Sequence, residues 1–218
     1  MAALILALAV IALGACGGDD DEGESEVSGA ELNSSLPTAG DLELDEGGKA
    51  DLFLRRETDW DDAGDLLVRD LFIPGSTDPS ELGAAIEDAG FQSAVGRDFG
   101  GKDLNVRIFA FQFDSEEGAL EARDLLHDED LKSPCPDACI VTPIEYELDD
   151  VPDSAAVHHV PTGGDLPPGQ SPVEAHHAEF VIGPQLYVLQ VDGKPSPTFS
   201  ADFDKLMGTV YESASGAE

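Results

Sequence analysis

The apolar positions of this chain fall into short alternating runs and helical stripes, and the most regular run is Leu104 to Phe113. Within it Val106, Ile108 and Ala110 alternate with Phe109, Phe111 and Phe113, so both faces are apolar, as in a central strand covered on both sides. Phe91 to Phe99 reads as its antiparallel partner across the Gly100-Gly101-Lys102-Asp103 turn. Upstream, Asp78-Pro79-Ser80-Glu81 has the form of a helix start: Asp78 caps, Pro79 suits the first turn and Glu81 completes a capping box. Leu82, Ala85, Ile86 and Ala89 supply the stripe of that helix and Gly90 its stop. A second helix is predicted from Asp114, with Glu117 three residues on, through Ala119, Ala122, Leu125 and Leu126.

Beyond it, Ile140 to Leu148 reads as a strand whose Pro143 argues for a sheet edge or a bulge, and Ala155 to Val160 as a shorter strand. Pro161 to Pro172, PTGGDLPPGQSP, breaks both ladders and helices and is expected to be a surface loop. Glu179 to Ile182 and Gln185 to Val191 make a hairpin about Gly183-Pro184, and Phe199, Phe203, Leu206, Met207 and Val210 give one face of a last helix. Two halves, Phe91 to Leu126 and Glu179 to Tyr211, thus share the order hairpin then helix, by duplication or by the common habit of α+β folds. The expectation is one α+β domain over residues 51–218: a mostly antiparallel sheet with the amphipathic helices of both halves packed on one face.

The first residues follow a different rule. Residues 2–15, AALILALAVIALGA, are uncharged and apolar but shorter than the about 20 residues that span a hydrocarbon core, as in a signal-peptide core. Leu13-Gly14-Ala15-Cys16 follows, which resembles the lipobox of bacterial lipoproteins. That resemblance implies a signal peptide over residues 1–15, cut before Cys16, and a lipidated Cys16 anchoring the chain to the outer face of the cytoplasmic membrane; two or three acyl chains hold stably where one is marginal. The leader departs from the export pattern in having no Lys or Arg, so the true start is open. From Gly17 to Lys49 the sequence is acidic, glycine-rich and poor in large apolar residues, so residues 16–50 are expected to be the lipidated cysteine and a flexible tether.

Charge narrows the partners. The formal net charge is −35, from 46 acidic and 11 basic residues, all after Cys16. Nucleic acid needs the opposite sign and is excluded, and anionic headgroups are repelled, so contact with the membrane falls to the lipid. The arrangement, lipobox, hairpin–helix halves and a two-cysteine loop, is similar to actinobacterial lipoproteins and more distantly to the extracellular sensor domains of mycobacterial serine/threonine kinases. That likeness implies extracytoplasmic sensing or binding.

Three sets of residues carry candidate chemistry. Asp59 to Asp70 partly resembles a calcium loop, with Asp59, Asp61 and Asp70 at positions 1, 3 and 12 and Gly64 at position 6. Ala63 at position 5 and a short Asp70 in place of glutamate remove two oxygen ligands or put them out of reach. His158-His159 and His176-His177 form two pairs flanking one loop; adjacent strand residues point to opposite faces, so at most one histidine of each pair can reach a shared ion, with Glu174 or Glu179 as the carboxylate of a two-histidine, one-carboxylate site. Against this stands the plainer reading of exposed histidines at strand ends. Cys135 and Cys139 bracket a proline-containing turn that brings two Cα atoms within the roughly 4.4 to 6.8 Å of a disulfide, favoured in an oxidising compartment. The same C-x-x-x-C spacing resembles the copper motif of thioredoxin-type cytochrome-oxidase assembly proteins, but the order of elements does not read as that fold. There is no G-x-S-x-G elbow, S-x-x-K or phosphate-cradling loop. The sequence therefore predicts a non-enzymatic, cofactor-free binding or sensor module for a small apolar or peptide-like ligand or a partner protein, with a metal-binding lipoprotein and an envelope hydrolase as alternatives.

Overall fold

A computed structural model describes residues 29–44, 51–71, 78–132, 141–146, 148, 151–152, 154–161 and 173–216. The leader, Cys16, residues 17–28 and 45–50, and the Cys135–Cys139 turn lie outside the described residues. Seven strands form one open antiparallel sheet, β1 (Phe53–Trp60), β2 (Phe91–Gly100), β3 (Leu104–Phe113), β4 (Val141–Tyr146), β5 (Ser154–Pro161), β6 (Glu174–Ile182) and β7 (Gln185–Gly193). Their order across the sheet is β1-β2-β3-β7-β6-β5-β4. The expected α+β class and the central place of Leu104 to Phe113 hold, and Pro143 does sit on an edge strand, β4.

Among the described residues five helices complete the fold: α1 (Gly29–Ser34), α2 (Ala63–Arg69), α3 (Pro79–Asp88), α4 (Glu116–Asp130) and α5 (Phe199–Ser215). Asp78 caps α3 as expected, accepting from the backbone N–H groups of Ser80 and Glu81. Helix α4 starts one residue later than predicted, with Ser115 as its cap, accepting from Gly118 N–H.

The helices occupy both faces of the sheet, which corrects the expectation of one. Val106, Ile108 and Ala110 of β3 pack with Leu32 of α1, with Leu36 just beyond it, and with Phe199, Phe203, Leu206, Met207 and Val210 of α5. Phe109, Phe111 and Phe113 pack with α2, α3 and α4 through Leu66, Ile86, Ala119, Ala122 and Leu126. The reason lies in β3 itself, whose two apolar faces both have to be removed from water. This also bears on duplication. A rotation that carries β2–β3 onto β6–β7 preserves the face of the sheet, yet α4 and α5 follow their hairpins onto opposite faces, so the two halves share strand order and not a common packing unit.

Part of the expected tether is packed. Leu32, Leu36 and Leu42 are at most 3% exposed in the α5-side core, and each leucine so buried contributes about 1.5–3 kcal/mol. Arg97 on β2 fixes the segment, its guanidinium donating to the carbonyls of Asn33, Leu36 and Pro37. The folded chain therefore begins at least as early as residue 29, ahead of the boundary expected at residue 51.

Candidate metal centre

The stripe that α4 lays on the sheet runs Ala119, Ala122, Leu126 and then, one turn on, Asp130. Asp130 ends the helix, is 2% exposed, and faces the paired strands β5 and β6. In that register Val157 stands opposite His177 and His158 opposite His176. Odd-numbered residues of both strands point to the α4 side, so His159 and His177 meet Asp130 there. His177 Nδ1 lies 3.0 and 3.1 Å from the two Asp130 oxygens, and His159 Nε2 lies 3.9 Å from Asp130 Oδ1. One ligand atom from each of the three lies within 4.8 Å of the others. All three are buried, which overturns the reading of exposed histidines at strand ends.

The polar layer continues outward. His127, one turn before Asp130 on α4, holds Glu145 of β4 at 3.2 Å through Nε2 and faces Glu179 of β6 at 3.8 Å through Nδ1, too far for a hydrogen bond. The nearby Glu179 carboxylate, with Glu145 helping and burial opposing, raises His127 to about 9. Burial in turn raises Glu179 itself. His159 moves the other way: burial, then the charge of His177, takes it down to about 4, so it is neutral at pH 7 with a lone pair to offer. For His177 the pull of burial is outweighed by the Asp130 carboxylate, and the net shift is upward.

His177 with Asp130 makes an ordinary buried ion pair. His159 does not fit so plain a structure. Among the described residues both of its ring nitrogens are buried without a hydrogen-bond partner, and leaving a buried polar atom unpaired costs about 1–3 kcal/mol. Two imidazoles and a carboxylate are a donor set that suits zinc, iron or nickel ions. A tetrahedral ion with bonds of about 2.0–2.1 Å needs ligand atoms about 3.3 Å apart, a modest contraction of the present triangle.

On the other face, His158 and His176 stack at 3.8 Å between ring centroids, with Glu174 beside them. The two histidine pairs are thus divided between faces as the alternation of a strand requires, and Glu174 and Glu179 fall one to each side. Asp130 escaped the sequence reading because its partners are remote in the chain; a carboxylate continuing an apolar helical stripe was its only sign. Asp59, Asp61 and Asp70 are not brought together. Asp59 belongs to β1, α2 occupies the supposed loop under an Asp62 cap, and Asp70 ends that helix in an ion pair with Arg56.

No family model matches the chain, and no curated protein matches it. Among solved structures it is similar to the extracellular domain of PknH from Mycobacterium tuberculosis, at 11% identity over 89% of this chain and 98% of that one, with a TM-score of 0.57. It is also matched to a putative uncharacterized protein, the Rv0999 ortholog from Mycobacterium smegmatis, at 11% identity over 81% of this chain and 98% of that one, with a TM-score of 0.37. The likeness to the PknH domain is one of fold.

Proposed function

We propose that this chain is a non-enzymatic, extracytoplasmic binding module, lipid-anchored through Cys16, whose ligand is a divalent transition-metal ion held by Asp130, His159 and His177. The observation that carries the reading is His159, buried with both ring nitrogens unpartnered among the described residues, beside a carboxylate and a second imidazole. The lipobox Leu13-Gly14-Ala15-Cys16 and the fold shared with an extracellular domain support the location. The three ligands are 2%, 3% and 3% exposed, so a bound ion has no open side for a substrate among the described residues, which favours holding or sensing over catalysis. A small apolar ligand finds less support: a surface cleft of about 390 Å³ between the α1–β1 segment and α5 is lined by Asp41, Glu43, Lys205, Thr209 and Glu212, which offer little apolar surface.

Thermal unfolding of chelator-stripped protein with and without zinc tests this reading. Zinc at a hundredfold excess over its dissociation constant stabilises by about 2.7 kcal/mol, a rise in Tm of several degrees for a domain of this size. The rise is expected to be reduced in Asp130→Asn and in His159→Phe by the share this centre supplies. An unchanged Tm with zinc, cobalt and nickel alike contradicts it.

A further inference from the structure

We propose that His158, Glu174 and His176 form a second divalent-metal site, on the α5 face of the sheet and nearer to solvent than the first. The geometry is that of a site with its supporting contacts in place. His158 Nε2 lies 2.7 Å and His176 Nε2 3.8 Å from the same atom, Glu174 Oε1. The three ligand atoms lie within 4.8 Å of one another. His158 and His176 are directly opposed across β5 and β6, and their rings lie 18° from parallel. Both imidazoles therefore present an edge nitrogen toward one carboxylate oxygen.

The remaining nitrogen of His176 fixes its role. Nδ1 lies 2.9 Å from the hydroxyl of Tyr146 on β4. When Nδ1–H donates to that oxygen, the Nε2 lone pair is left to point at Glu174, the orientation a ligand histidine needs. Phe199 and Phe203 of α5 pack on the His176 ring at centroid distances of 5.3 and 4.8 Å and limit its rotation. Ser200 Oγ stands 3.5 Å from Nε2 and is the one hydroxyl near the coordinating edge among the described residues. Tyr146 is thus a positioning residue.

The two centres differ in access. His158 and Glu174 have side chains 20% and 13% exposed, whereas those of Asp130, His159 and His177 are at most 4% exposed. An ion on the α5 face therefore keeps a side open to water, exchanges faster and is taken first by a competing chelator. The two sites stand back to back on adjacent residues of the same two strands.

Zinc titration of the chelator-stripped, full-length protein, followed by calorimetry and by competition with a chromophoric chelator, tests the proposal. Two equivalents are expected, the faster-exchanging one lost in Glu174→Gln and in His158→Ala and retained in His159→Phe. Tyr146→Phe is expected to keep both equivalents and weaken the faster one about tenfold, leaving the slower one unchanged. Circular dichroism of Glu174→Gln, a same-sized change at a partly exposed residue, checks that the fold is retained. A single equivalent that is lost in His159→Phe, or equivalents that all survive Glu174→Gln and His158→Ala, overturns the second site. A single equivalent that survives His159→Phe and is lost in Glu174→Gln sustains it while contradicting the enclosed centre.

Discussion

Helix α4 covers two kinds of surface along its length, and its two ends are held down by different physics. Its first turns place Ala119 and Ala122 on a floor of phenylalanines, Phe91, Phe111 and Phe113, with edge-to-face contacts at centroid distances of 6.1 and 6.2 Å. Its last turn places His127 and Asp130 on His159, His177 and Glu179. Both surfaces are buried. The apolar end is complete in itself, since apolar side chains meet only other apolar side chains of one packed cluster. The polar end pays for buried charge and unpaired nitrogens, and nothing in packing alone offsets that cost. A region that is costly to fold yet enclosed by regular structure is where a ligand's binding free energy belongs.

Substitutions sharpen that contrast. The largest effect is expected at the apolar end, where Phe111→Ala leaves a cavity at a fully buried site and should cost about 3–5 kcal/mol with or without metal. Denaturant unfolding measures it, and zinc should restore the same increment to variant and parent. At the polar end, Asp130→Ala strands the His177 imidazole without its counter-charge and should cost about 3 kcal/mol in the metal-free protein. The same change should also remove the enclosed centre's share of the zinc-induced rise in Tm.

Acid provides the next test. Burial holds His159 at about 4 and His176 at about 3, against an ordinary value of 6.5. Between pH 6.5 and about 4 the unfolded chain therefore binds protons that these two folded-state imidazoles refuse, so both lower stability as pH falls through that window, outnumbering the opposite contribution of Glu179, whose carboxyl burial raises. Metal-free protein should lose several degrees of Tm from pH 7 to pH 5, and His159→Phe should flatten the slope by removing one of the two groups. A slope unaffected by that change counts against a neutral, buried His159. The smallest effect, and the one most particular to this account, is His159→Phe at pH 7. Exchanging an unpartnered imidazole for an apolar ring should leave the metal-free protein equally stable or up to about 1 kcal/mol more stable, while removing the enclosed centre's share of the response to zinc.

These two ends also mark what the sequence discloses. Strands with clean alternation, Phe91 to Phe99 and Leu104 to Phe113, and helices with explicit caps, as at Asp78, are legible because their signals are local. The strand β1 gives no such signal: its residues FLRRETDW are exposed for most of their length at a sheet edge and do not alternate. The leucines at 32, 36 and 42 are submerged in acidic, glycine-rich sequence, so a packed segment resembles a tether. The division of the histidine pairs between two faces follows from strand geometry and was readable. What each face adds was only half so: Glu174 lies two residues from His176, whereas Asp130 arrives on a helix that the chain lays across β5, β6 and β7. Burial, which separates a ligand set from a solvated row of histidines, is a property of the assembled sheet.

The most direct test of the enclosed centre is anomalous diffraction at the zinc edge from crystals grown with zinc. The account predicts a peak bonded to Asp130, His159 and His177 at about 2.0–2.2 Å from each, with His159 no longer lacking a partner. A map with no anomalous signal between α4 and the β5–β6 pair, or with only a water molecule bridging His159 to Asp130, would contradict it.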